Sequence, residues 1–158
     1  MKSQAEPSPD TEPGDAQKAL RTETTTGAIG YRLRRAQLHV FQKFHAFFDE
    51  VGLRPAEFSV LVLIGDNPGR KQTEIAEVLG IKRANFVTLV HGLENRGLVE
   101  RVPSAADKRA NALHLTQEGR AFLSMAQSTH ARLEDETVAQ LGGPAARDQL
   151  LALLDRLV

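Results

Sequence analysis

The side chains of this 158-residue chain best placed for chemistry are cations and amides rather than nucleophiles. Asp107, Lys108 and Arg109 sit together just before the alternating run Leu113, His114, Leu115, which ends at Thr116, a helix N-cap residue. Upstream, Lys82, Arg83, Asn85 and Thr88 share one helical window in which Phe86, Leu89 and Val90 take the inward positions. Arginine grips guanine O6 and N7, and asparagine grips adenine N6 and N7, each with two hydrogen bonds. A guanidinium at a hairpin tip suits the negative potential of a narrow minor groove, which is the role expected of Arg109. Lys108 adds a phosphate contact, and Asp107 pairs with Arg109 or a basic neighbour and holds the loop. Gln72 and Thr73 open the preceding helix, where an amide, a hydroxyl and free N–H groups suit a phosphate oxygen or simple capping equally well. This is the chemistry of binding duplex DNA. A charged surface turn and a solvated helix face are the plainer readings of the same residues.

Elements must hold these groups in place. The spacing predicts short helices over 72–79 and 82–96, separated by Gly80, which is a helix-turn-helix pattern. Residues 98–102 and 112–115 pair as a hairpin around the loop Pro103–Asn111. A helix over about 55–65 precedes the pair, with Pro55 in its first turn and the break Asn67, Pro68, Gly69 behind it. A long helix over 27–51 carries Ile29, Leu33, Ala36, Val40, Phe44, Phe47 and Val51 on one face, and Leu38, Phe41 and Phe48 on a second. A helix apolar on two sides needs a second chain or a ligand cavity, or else a central place in a monomer core. Residues 117–140 and 145–158 are further helices, the last with a leucine stripe wider than a small monomer needs. Gly92 lies inside a predicted helix, where close packing is expected to offset its poor propensity. The fold class is therefore mainly α with a small β-hairpin wing. A winged helix-turn-helix over about 53–116 is flanked by helices over 27–51 and 117–158.

Composition narrows the function further. Twenty basic and twenty acidic residues cancel overall, yet residues 70–109 hold eight bases against five acids. There is no cysteine, which excludes disulfides, thiolate metal sites and cysteine-based redox sensing. His130 and Glu134 lie four apart, but two ligands do not make a zinc site. No metal and no cofactor is expected. Residues 1–26 are rich in Pro, Glu, Ser and Thr and read as a disordered tail. No apolar run reaches membrane-spanning length and the N-terminus lacks a signal peptide, so a cytoplasmic protein with no membrane partner is expected.

Residues 55–116 resemble a MarR-type transcriptional regulator. The matching pieces are Pro55-Ala-Glu-Phe-Ser-Val-Leu, Gln72-Thr-Glu-Ile-Ala-Glu-Val-Leu-Gly, Leu93-Glu-Asn-Arg-Gly-Leu-Val-Glu-Arg, and Asp107-Lys-Arg through Leu115-Thr-Gln-Glu-Gly. The resemblance implies a homodimer joined by its first, fifth and last helices. It also implies a pseudo-palindromic operator and a repressor, of aromatic-compound catabolism or efflux genes, released when a small aromatic molecule binds between the two layers. The chain departs from the pattern at Arg54, where Ser or Thr is common, and at Gly80-Ile81-Lys82, which lacks the usual hydroxyl.

Some regulators of this type that control aromatic catabolism respond to aryl-coenzyme A thioesters. On that analogy Arg32 and Arg34 meet coenzyme A phosphates at the pocket mouth. The aryl group enters a cavity lined by Phe41, Phe44 or Phe48, with His39 or His45 as a polar handle. A free aromatic acid as ligand, solubilising charge, or a DNA-backbone role for the arginines are the alternatives. Two other classes stay open: a winged-helix protein-interaction module without sequence-specific DNA binding, and a small helical enzyme. No nucleophile–base or paired-carboxylate constellation supports the enzyme.

Overall fold

The computed structural model describes residues 22–103 and 111–157. It divides into two units, Met1–Ala36 and Gln37–Val158. The first contains α1 (Glu23–Thr26) and the start of α2 (Ile29–Phe48). The short α1 corrects the expectation of a disordered tail as far as residue 26, because Thr26 and Gly27 close a helical turn onto the carbonyls of Thr22 and Glu23. The rest of that tail, residues 1–21, lies outside the described residues.

The second unit takes up α2 and continues through a 3₁₀ turn (Asp49–Val51), α3 (Pro55–Asp66), α4 (Gln72–Val78), α5 (Arg83–Asn95), β1 (Val99–Pro103), β2 (Asn111–Leu115), α6 (Gln117–Leu141) and α7 (Pro144–Leu154). Gly52, with φ of 56°, ends the 3₁₀ turn in the left-handed region, as expected for a glycine stop. Gly80, with φ of 61°, supplies the bend between α4 and α5.

The core lies where α3, α5, α6 and the hairpin meet. Val60, Leu61, Ile64, Phe86, Val90, Leu93 and Leu113 are fully enclosed there. Phe44 and Phe48 belong to it too, stacked with ring centroids 4.2 Å apart. This moves Phe48, grouped by the sequence reading with Leu38 and Phe41, to the face of Phe44. Phe44 and Phe48 are four residues apart and so share a face, whereas Phe41, at 40 % exposure, points elsewhere.

The strands pair antiparallel from Val99↔Leu115 to Pro103↔Asn111. The segment before α4 joins them. Gly69 N–H donates to Leu113 O at 3.0 Å and Leu113 N–H donates to Arg70 O at 2.9 Å, so β2 is paired on both edges near its middle. The break at Asn67–Gly69 is thus a corner that delivers a third extended segment to the wing.

The wing root is locked to α6. Thr116 Oγ1 accepts the Gly119 N–H at 2.8 Å and donates to Gly97 O at 2.6 Å. Gly119 is buried, and a methyl group there would fall 1.9 Å from Leu98 O. Gly92 is different: nothing lies within 4 Å of the space a methyl would take. Close packing within the chain is therefore not what this glycine serves. Among the described residues no helix is long and apolar enough to cross a membrane, and no group of three or more metal-ligating side chains gathers.

Candidate nucleic-acid interface and its neighbouring cleft

Helix α5 buries Phe86, Val90 and Leu93 and so fixes which side chains face outward. Lys82 at its N-cap, Arg83, Asn85 and Thr88 are all exposed, as the spacing predicts. Thr73 at the start of α4 is exposed. Gln72 is half-buried, and its Oε1 is enclosed with no hydrogen-bond partner among the described residues. Asp107, Lys108 and Arg109 lie outside the described residues. What the structure describes of the wing is its base, where Arg101 on β1 pairs with Glu94 on α5 at 2.5 Å. That ion pair ties the hairpin to the reading helix.

A cleft of about 600 Å³ opens beside the same helix. One wall is Phe41 and His45 of α2, another is Arg54 to Glu57 at the start of α3, and the third is Asn85, Thr88 and Leu89 of α5. Of the residues expected to line a ligand cavity, the structure brings Phe41 and His45 to this cleft. Phe44 and Phe48 go to the aromatic core instead, because their shared face is the one packed inward. His39 is exposed on α2 and lines none of the described clefts. In the first unit Arg34 is exposed, and the exposed Arg32 donates from Nε to Thr26 O at 2.5 Å.

The cleft wall holds a charged cluster that sequence reasoning missed. Glu57 is only 5 % exposed. Its Oε2 accepts the Arg54 N–H at 2.9 Å, and its Oε1 accepts Arg54 Nη2 at 2.6 Å. Burial alone pushes the Glu57 carboxyl up. Hydrogen bonds from the Arg54 side chain and backbone, with the charges of Arg54 and Arg96, outweigh it and hold the group below the usual carboxylate range. Arg96 reaches the same carboxylate at 3.8 Å, donates to Val51 O at 3.1 Å and Gly52 O at 3.3 Å, and lies over the Phe122 ring. One guanidinium thus joins the end of α5 to α3, α6 and the turn after α2. The signal was present in the sequence: a non-hydroxyl cap followed three residues later by Glu, the acidic half of a capping box.

A model described as the MarR family matches residues 51–110. A putative transcriptional regulatory protein for the hcr operon of Thauera aromatica is 33 % identical over 132 residues, which is 83 % of this chain and 79 % of the relative. The chain belongs to the MarR family. Its solved neighbours include the transcriptional repressor CouR bound to a 23-mer DNA duplex, 44 % identical over 89 % of this chain and 99 % of that one, with a TM-score of 0.82. CouR bound to p-coumaroyl-CoA matches at 44 % identity over 88 % and 97 % of the two chains, with a TM-score of 0.80. This MarR-family chain is thus a winged-helix transcriptional regulator, and α4 and α5 are its helix-turn-helix.

Proposed function

We propose that the chain is a homodimeric repressor of aromatic-compound genes that leaves its pseudo-palindromic operator when an aryl-coenzyme A thioester binds. One observation carries this reading: CouR, 44 % identical, is known bound to a DNA duplex and bound to p-coumaroyl-CoA. The geometry supports it in three places. Lys82, Arg83, Asn85 and Thr88 offer the reading helix a cationic and amide-bearing exposed surface. The C-terminal leucines 150, 151, 153 and 157 are 38–58 % exposed, an apolar surface suited to a second copy. The cleft couples the two events, since Asn85 and Thr88 belong both to its wall and to the exposed surface of α5. An aryl group seated against Phe41 presses on the helix that reads DNA. A coupling of roughly 1–3 kcal/mol between effector and operator is typical of such devices. Arg54 gives the cleft a cation for an acyl oxygen or carboxylate, and the thioester leaves unchanged because the chain acts without catalysis.

The test is fluorescence anisotropy with DNA from upstream of the protein's own gene, at several salt concentrations. p-Coumaroyl-CoA, p-coumaric acid and coenzyme A are then titrated into the complex. Tight, salt-dependent, sequence-selective binding that the thioester reverses is the expected result. Weak binding indifferent to sequence refutes the operator reading and directs attention to a protein partner. Release by the free acid alone refutes the thioester, and turnover of the thioester refutes the absence of catalysis.

A further inference from the structure

The outward surface of α5 carries an apolar strip that the polar contacts leave unexplained. Opposite the buried Phe86, Val90 and Leu93 stand Ala84 and Thr88, with Val87 on the adjoining flank towards α4, all exposed, Val87 at 40 %. Thr88 does not present its hydroxyl as a free donor, because Oγ1 donates to Ala84 O at 3.2 Å. Its γ-methyl is the part of the side chain left for an apolar contact. Charge does not bar this surface from DNA, since no acidic residue occurs from Lys82 to Gly92. Val87 also shares a shallow hollow of about 210 Å³ with Arg83 and with Gln72 and Thr73 of α4. It therefore sits among the groups best suited to phosphates and base edges. In the major groove the apolar feature is the 5-methyl group of thymine.

We infer that Ala84, Val87 and the Thr88 methyl read thymine by its 5-methyl group, so that Val87 is a specificity-determining residue of the operator contact. The inference rests on α5 being the DNA-reading helix. Arg83 and Asn85 flank the strip and supply the hydrogen bonds, while the strip separates thymine from cytosine, which has no methyl at that position.

Duplexes are first selected from a random library by the intact protein. Each thymine of the selected site is then replaced by deoxyuridine, which removes the methyl and nothing else. Each contacted methyl is worth about fourfold in affinity, the equivalent of one buried methylene. The expected result is that loss at one or more thymines of each half-site, shrinking below about twofold in Val87→Ala. The Lys82→Ala variant, which removes an exposed cation and no methyl contact, is expected to lose affinity for thymine and deoxyuridine duplexes alike. Equal affinity for both duplexes overturns the inference while leaving the operator reading intact. So does full methyl dependence in Val87→Ala. Failure to select any duplex overturns the operator reading and the inference together.

Discussion

Replacing Gly119 by alanine tests the joint on which the wing stands. The added methyl would lie 1.9 Å from Leu98 O, 2.8 Å from Leu98 C and 3.2 Å from Leu98 Cα. Real contacts of this kind do not fall below 3.0 Å, so the two backbones must separate by about 1.1 Å. Neither can yield by rotating a side chain, because the obstacle is backbone. Separation strains the Thr116 N–H bond to Leu98 O at 3.2 Å and the Thr116 hydroxyl bond to Gly97 O at 2.6 Å. Overpacking costs about 1–3 kcal/mol, and losing one of the two strained Thr116 hydrogen bonds about 1 kcal/mol. The better helix propensity of alanine returns up to about 1 kcal/mol. With the full propensity returned, the net is a destabilisation of about 1–3 kcal/mol, a substantial part of the roughly 5–15 kcal/mol that holds a domain together. Urea unfolding followed by circular dichroism, at one fixed protomer concentration, reads this directly. Gly92→Ala is the internal control. Its methyl meets nothing within 4 Å, so the same substitution is expected to stabilise by up to about 1 kcal/mol. The reasoning is refuted if Gly119→Ala unfolds within about 0.5 kcal/mol of the parent, the range of neutral surface changes.

Three further outcomes are expected. The Glu57 carboxyl is held below its usual range in the folded chain. Its stabilisation is present at and above the ordinary carboxylate range and is lost as pH falls through the depressed folded value. In Glu57→Gln the acid limb of a stability–pH profile flattens, and unchanged limbs would deny the cluster this role. Arg109→Ala weakens operator binding by about 1–3 kcal/mol in anisotropy if the guanidinium makes a specific groove contact. An unchanged Kd would count against the wing. Arg32→Ala combined with Arg34→Ala weakens p-coumaroyl-CoA binding in calorimetry and leaves p-coumaric acid unaffected. Equal affinities of parent and variant for the thioester would remove these arginines from phosphate binding.

Much of the architecture was legible because local signals agreed. Pro55, Gly80 and Thr116 mark helix ends by mechanisms confined to a few adjacent residues, and the structure places ends there. The exposed set on α5 followed from the burial of Phe86 and Val90 alone, since helical period turns one assignment into the other. The ligand wall was less legible. Phe44 and Phe48 share a face by their four-residue spacing, which the grouping of Phe48 with Phe41 overlooked, and nothing local says which face meets the core.

The sequence by itself determined that this chain is a helix-turn-helix with a hairpin behind it, and which side chains of the reading helix are free. Those properties depend on spacing, capping and charge along a few turns of chain. Tertiary structure alone decided that Phe41 and His45 share a cleft with Asn85 and Thr88. It also decided that Arg96 joins Glu57, Val51, Gly52 and Phe122, and that Gly119 leaves room for the Leu98 carbonyl. Each of these brings together residues far apart in the chain. Such meetings are set by how the helices pack around one core, and no local pattern encodes that.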